Sequence, residues 1–583
     1  MTPPPFSLVD FINAPYEVRL ASDYEQLTGG MVLARRWHQN LCRSSLTNRS
    51  ASPVRVKEVV LFSGSLPGED IPFYGEGFQQ NGQRGGTLRQ PVDIGFVPDR
   101  LEYQLPQVEG MLTAYSLVML SPKEQPHSLL AFTSCRRFSG EFRFGQGVFE
   151  VVMDTEGLSL GPGETWEFEE FFIESGFDGE VLFDHLAEQI EINHPRLVYP
   201  AVPSGWCSWY HFGPDITEEA VMCNLDAIAR AGLELKFIQI DDGYQSFMGD
   251  WLAPGEKFPH GVQSLCHEIR RRGFEPAIWV APFIAEPGSA IFRQHPEWFV
   301  TGADGLPIAA EQVSYGGWRC TPWYVLDGTH PGVQEYFRQV FRTMRTEWGC
   351  TYFKLDASFW GAMHGCNHFD PAATRIEAYR RGMAAVLEGA GDAFVLGCNT
   401  PVWGSLGLLH GNRVTNDIMR YWGKFKAVAL ELFHRNWQNN RLWINDPDCL
   451  VLNNIQGSSL TADEFRFHIA MIQASGGMIL SGDDLTTLTG EQLDVIRRLL
   501  PSSGCAARFL GDGFTAGIQD NPGGRLLYCF NWEDQPARIA VSLPIPGRVV
   551  DFWSGEDLGT WQGVFSPPVL APHAARVFKL LSV

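Results

Sequence analysis

The sequence predicts a multidomain α/β protein: a central (β/α)8 barrel (a TIM barrel) between an N-terminal β-sandwich and a C-terminal antiparallel β domain. Three observations predict it. Up to about residue 195, short alternating runs such as PVRVKEVVLF and GVFEVVMDT are broken by Gly, Pro, Asn and Asp at turn spacing, with hardly any helical periodicity. From about 200 to 500, short apolar runs end in polar residues and lead into helical segments. Beyond about 505, stretches such as RLLYCFNWE, ARIAVSLP and ARVFKLL return to strand patterns with Gly and Pro turns. The domains are drawn at 1–195, 196–503 and 504–583, and a chain of 583 residues has ample material for three cores.

The middle region supplies the eight strands a barrel needs. They are SGWCSWY from 204, LKFIQID from 235, EPAIWVAP from 275, TYFKLDAS from 351, AFVLGCN from 393, NRVTND from 412, RLWIND from 441 and GGMILSG from 476. Between the first two lies TEEAVMCNLDAIARAG, a helix that Thr217 can cap and Gly232 can stop. Two intervals are irregular. About 70 residues separate the third and fourth strands, and about a dozen separate the fifth from the sixth, too few to hold a crossover helix comfortably.

Charge and cysteine usage narrow the function classes. With 45 Lys+Arg against 67 Asp+Glu, a formal charge of -22 repels phosphate backbones and anionic headgroups, so nucleic acid and membrane surfaces are poor partners. No apolar stretch approaches the roughly 20 residues that span a bilayer, and the N-terminal run has no basic and apolar leader. Twelve cysteines scattered from Cys42 to Cys529 without a CxxC pair read as reduced thiols, and a cytoplasmic location is expected. The 18 Trp and 40 Phe suit the apolar faces of sugars as well as a protein core.

In a barrel the active site lies at the C-terminal strand ends, and ionisable residues collect there. They are Asp241 and Asp242, Lys354 and Asp356, Cys398 and Asn399, Arg413 and Asp417, Asp446 and Asp448, and Asp483 and Asp484. Residues two apart on a strand share a face, so Lys354 lies beside Asp356, where its charge favours the ionised carboxylate a nucleophile needs. A structural ion pair is the alternative. Asp417, two strands round, can face Asp356 across the barrel mouth, a pairing that suits glycoside cleavage; capping the following helix is its other reading. Asp241 and Asp242 offer acceptors to sugar hydroxyls or to Mg²⁺. The tract HGCNHFD places His364, Cys366 and His368 close together, but no HExxH or paired CxxC supports zinc, and no metal is expected. Trp206, Trp209 and Trp279 are core residues or sugar platforms.

The ordered set GWCSWY, IDDGYQ, WVAPF, YFKLDAS, LGCNTP, NRVTND, NDPDCL and LSGDDL resembles the melibiase-type retaining α-galactosidases of glycoside hydrolase family 36, in particular their shorter prokaryotic members. The motifs cover about 204–484. The resemblance implies Asp356 as nucleophile and Asp417 as general acid/base, with Lys354 supporting the nucleophile. It implies Asp241 and Asp242 on the hydroxyls of a terminal galactose, Arg413 near the 2-hydroxyl with Cys398 beside it, and Trp279 as an apolar wall. Asn399 and Trp206 complete the expected substrate contacts, and Tyr74 or Phe78 is the aromatic expected from the N-terminal sandwich. The implied substrates are galacto-oligosaccharides such as melibiose or raffinose, and no metal or organic cofactor takes part. The nucleophile motif departs from the KWDMNR-like form of larger members, so their substrate range and tetrameric state do not transfer, and a homo-oligomer stays open.

Other readings keep the same residues. A galactosyltransferase of the raffinose-synthase kind, or an α-N-acetylgalactosaminidase, would differ in the loops, chiefly 283–350 with Trp298, Trp318 and Trp323. A metal-dependent barrel hydrolase would use Asp241, Asp242, His364 and His368, and a non-catalytic sugar-binding protein would use the pocket alone.

Overall fold

The computed structural model describes residues 3–21, 30–511, 513–521, 524–543 and 545–582. In the N-terminal region, two antiparallel sheets of six and nine strands stack face to face. Their inner faces interdigitate Leu46, Val56, Phe62, Phe132, Phe142 and Phe171, all buried, as the alternation in the sequence requires. Two elements depart from the expected all-strand pattern: the short helix Leu8–Ile12, and a longer helix, Gly179–Asn193, which precedes the barrel. The longer helix has its signal in the chain. Asp178 caps it by accepting from the amides of Glu180 at 3.0 Å and Val181 at 3.4 Å, and Leu182, Leu186 and Ile190 recur at helical spacing on the buried face.

All eight expected barrel strands form, and they are numbered here within the barrel: β1 (Ser204–Cys207), β2 (Phe237–Ile240), β3 (Glu275–Val280), β4 (Tyr352–Leu355), β5 (Phe394–Gly397), β6 (Gly411–Arg413), β7 (Ile444–Asp446) and β8 (Ile479–Ser481). Each pairs in parallel with its sequence neighbour from β1 to β7, and β1 also pairs with β8. The ring is nearly closed. Between β7 and β8 the join is made by Met478 N–H on the Asn445 carbonyl at 2.9 Å and by Leu450 after β7, which bridges Ser481. Gly477 permits the approach, because a Cβ there would meet the Asn445 oxygen at 2.1 Å.

The two-residue period of the strands stacks the barrel interior in layers. At the base, Phe237, Ala277, Tyr352, Phe394 and Ile444 fill one apolar cluster. One step up, the register sets Trp279 against Lys354 and Lys354 against Leu396. A further step brings Asp241, Asp356 and Cys398 to the mouth. The helix Glu218–Ala231 behaves as expected: Thr217 Oγ1 accepts from the Ala220 amide at 3.1 Å, and Gly232 ends it in a left-handed conformation at φ 59°.

Both irregular intervals have structural answers. The long β3–β4 connection carries the hairpin Ile284–Ala285 with Tyr324–Val325, then the crossover helix Pro331–Thr346. The short β5–β6 connection holds no α-helix, only the 3-10 turn Trp403–Ser405. Beyond the barrel, an antiparallel six-stranded sheet packs against helix Ala462–Ser475, with Phe467 edge-on to Phe530 and Trp532 at 5.0 and 4.9 Å.

The sandwich is locked to the barrel beside the site. Glu76 and Arg435, both inaccessible to solvent, pair at 2.6 Å; Gln438 Nε2 donates to Glu76 at 3.0 Å, and Arg435 Nη1 reaches the carbonyls of Gln80 and Val414. Losing one partner of such a buried pair costs about 3–5 kcal/mol. The lock holds the turn at Gln80 against the strand that leads to Asp417.

Candidate active site

A cavity of about 340 Å³ opens at the C-terminal ends of the barrel strands, and Asp241, Asp242, Trp279, Lys354, Asp356, Cys398, Asn399 and Asp417 all line it. Eight of the ten residues expected at the site therefore meet in one chamber. Arg413 and Trp206 do not.

Asp356 follows β4. Its Oδ2 accepts from Trp279 Nε1 at 3.0 Å and its Oδ1 from the Ala357 amide at 2.7 Å, with Ala357 at φ 52°. Trp279 is thus a hydrogen-bond donor to the carboxylate as well as a wall. Non-glycine residues with positive φ recur at neighbouring strand ends, at Asn399 (50°) and Asp448 (77°), the local strain that clusters where side chains are aimed at a ligand. Burial pushes the Asp356 carboxyl above its usual range and the Asp417 charge adds to this, against Lys354 and the two N–H donors.

Lys354 reaches past Asp356 to Asp241, pairing with Oδ2 at 3.0 Å, where Gln239 Nε2 also donates at 2.6 Å. Asp241 Oδ1 accepts from the Asp242 amide at 2.9 Å. Asp242 is held by Gln245 Nε2 at 2.7 Å and, on both oxygens, by Arg319, whose Nε lies 2.6 Å from Oδ2. Arg319 comes from the β3–β4 connection and escaped the sequence reading. The two aspartates are therefore fixed in place with part of their acceptor capacity already used, and neither is arranged with others as a metal cluster.

Arg413 is buried beneath the cavity wall. It holds three carboxylates: Asp417 at 3.0 Å, Asp446 at 3.3 Å and Asp448 at 2.8 Å. Arg413, expected near the sugar, does not line the cavity; its guanidinium is taken up by these three carboxylates, of which Asp417 opens into the cavity. Asp417 is not a helix cap, since helix Trp422–His434 begins after Tyr421. Its side chain is 56% exposed to the cavity. Burial by the surrounding wall would raise its carboxyl, but Arg413, Lys354 and Lys424 outweigh that and hold it below the usual range. Tyr210 and Arg413 bond Asp448, which burial pushes up to about 6.

Trp206 lies outside the cavity. It is fully buried and donates Nε1–H to the Asp483 carbonyl at 2.8 Å, because it faces away from the barrel interior that its neighbour Cys207 enters. Trp209, two positions beyond Cys207, is the tryptophan of this motif that lines the cavity. Tyr74 stacks on His434 and Phe78 packs on Phe359, so neither expected aromatic reaches the site. The sandwich instead contributes Gln80, Asn81, Val97, Glu102 and Tyr103. Tyr103 Oη donates to Asn399 Oδ1 at 2.7 Å, and Gln80 Oε1 accepts from the Asn399 amide at 2.5 Å. From the β3–β4 connection, Tyr315 and Trp318 form the rim; Trp323 is buried and Trp298 stacks on His295.

His364, Cys366 and His368 go separate ways, bonding the Tyr103 carbonyl, the Met363 carbonyl and Asp327 respectively. Among the described residues no group of three or more His, Cys, Asp or Glu is placed to hold a metal ion. Asp483 pairs with Arg420 at 2.6 Å and Asp484 caps Thr486 at 3.0 Å, both structural roles. Among the described residues no helix is long and apolar enough to cross a membrane.

Comparison with known proteins agrees with this architecture. Residues 185–387 match the Melibiase family model. An A type blood α-D-galactosamine galactosaminidase of Flavonifractor plautii is 30% identical over 205 residues, 33% of this chain and 18% of that protein. A probable α-galactosidase G of Emericella nidulans is 22% identical over 535 residues, 80% of this chain and 66% of that protein. The chain thus spans less than two thirds of the length of either relative. TtGalA, an α-galactosidase from Thermus thermophilus solved with p-nitrophenyl α-D-galactopyranoside, shares the fold with a TM-score of 0.64 at 24% identity, over 84% of this chain and 98% of that one.

Proposed function

We propose that this chain, whose residues 185–387 match the Melibiase family model, is a retaining exo-α-galactosidase that hydrolyses terminal α-galactosyl residues of galacto-oligosaccharides such as melibiose or raffinose. The observation that carries the reading is one cavity, closed below by the barrel, into which two carboxyls from different strand ends, Asp356 and Asp417, both open beside the Asp241–Lys354 pair. Its volume sits at the low end of the roughly 300–1,000 Å³ usual for small-ligand sites, which favours a single terminal sugar over a chain threaded through.

In this reading Asp241, Asp242 and Lys354 hold hydroxyls of the galactose, with Cys398 and Asn399 on the facing wall. Asp356 attacks C1 while Asp417 gives its proton to the glycosidic oxygen, and the C1–O bond breaks to release the aglycone. Asp417, now a carboxylate, takes a proton from water as that water attacks C1 of the β-linked galactosyl-enzyme and frees Asp356, so the α configuration is kept. In the empty site Asp356 holds a proton more readily than Asp417, since Asp356 is raised and Asp417 lowered. A substrate oxygen at Asp417 and galactose hydroxyls around Asp356 would reverse that preference. The twelve unpaired cysteines fit a cytoplasmic location.

The test is hydrolysis of p-nitrophenyl α-galactoside beside the α-glucoside and the α-N-acetylgalactosaminide. The α-galactoside is expected to be cleaved fastest. Preference for the N-acetylgalactosaminide would move the assignment to that activity, and silence on all three from folded protein would contradict hydrolysis of these sugars.

A further inference from the structure

The floor of the cavity is barrel, but one wall is not. Glu102 lines the cavity from the N-terminal region, and its Oε2 is buried without a hydrogen-bond partner. A carboxylate oxygen left unbonded inside a closed wall is costly, so the Glu102 side chain keeps acceptor capacity for a donor that arrives with the ligand. The segment carrying it is fixed from several sides. The Tyr315 amide donates to the Glu102 carbonyl at 2.6 Å, Gln104 Nε2 to the Ser314 carbonyl at 3.1 Å, and Tyr103 Oη to Asn399 at 2.7 Å. Tyr315 itself lines the same cavity as Asp356 and Asp417. Glu102 therefore lines the wall that the N-terminal region sets against the barrel, next to Tyr315, while Asp241 and Lys354 come from the barrel strand ends.

We propose that Glu102 is a specificity-determining residue that accepts a hydrogen bond from a hydroxyl of the sugar on the leaving side of the scissile bond. This rests on the α-galactosidase reading above. A carboxylate only accepts, so the subsite takes neutral sugars that present a hydroxyl. It disfavours anionic leaving groups such as uronates or sugar phosphates, which would meet Glu102, Asp356 and Asp417 together.

The experiment compares kcat/KM for melibiose with kcat/KM for p-nitrophenyl α-galactoside, whose leaving group carries no hydroxyl donor while bound, in wild type, Glu102→Ala and Glu102→Gln. The ratio of the two is expected to fall about tenfold or more in Glu102→Ala, the loss of one hydrogen bond to a charged group. Glu102→Gln, which keeps an acceptor oxygen, should restore most of it, a rescue that a merely structural role would not show. Thermal melts establish that both variants are folded. A ratio unchanged in both variants overturns the assignment of Glu102 while leaving the α-galactosidase reading intact. A wild-type protein inactive on both substrates overturns that reading and this inference with it.

Discussion

Replacing Asp356 with alanine is expected to lower kcat on α-galactosides by about 10⁴-fold or more, because the covalent route disappears with the nucleophile. The aspartates that follow β2 are not free to take its place. Asp241 is engaged by Lys354 and Gln239, and Asp242 by Arg319 and Gln245. The fold should persist. Asp356 bonds only the Trp279 indole N–H and its neighbour's amide, and stranding a buried donor costs about 1–3 kcal/mol. Asp356→Asn leaves an amide oxygen for Trp279 and should be nearly as inactive with a smaller loss of stability, which separates chemistry from folding. Both variants are read by single-turnover kinetics alongside thermal melting. Turnover within about tenfold of wild type would remove Asp356 from the mechanism.

Replacing Asp417 with alanine is expected to have a graded effect. Without a proton donor, cleavage of melibiose should fall about 10²–10⁴-fold, whereas the nitrophenyl galactoside, whose leaving group needs little protonation, should lose much less in its first step. Azide can then attack the galactosyl-enzyme from the vacated side, so added azide should speed turnover and yield α-galactosyl azide. The pH dependence carries a second signature. In wild type, kcat/KM should fall on the alkaline side as the shared proton leaves the Asp356–Asp417 pair. In the free enzyme the last proton to leave is held by Asp356, which burial and the Asp417 charge raise, so that fall is set at higher pH than an ordinary carboxyl would show. The alanine variant has no acid proton at position 417 to lose, and its alkaline limb should vanish. Full activity on melibiose, or an alkaline limb unchanged in the variant, would assign the acid elsewhere.

Much of this site is legible from local pattern, and its gaps have physical reasons. Strand period and polar strand ends place Asp241, Lys354, Asp356 and Cys398 together because each depends only on facing alternation within one strand. The same rule, applied to GWCSWY, puts Trp206 on the face opposite Cys207, which is why the expected contact from Trp206 is absent and Trp209 lines the cavity instead. The resemblance implies Arg413 near the sugar, and spacing along the chain does not say that Asp446 and Asp448 also converge on its guanidinium. Arg319 lies in an irregular connection with no periodicity to point to Asp242. Gln80, Glu102 and Tyr103 reach the cavity through contacts between the sandwich and the barrel, which local spacing along the chain does not encode.

The measurement that tests the central claim most directly is the anomeric form of the galactose first released, followed by ¹H NMR before mutarotation. A double displacement through Asp356 predicts α-galactose first, followed by slow appearance of the β anomer. Release of β-galactose first would mean single displacement by water and would contradict a covalent role for Asp356.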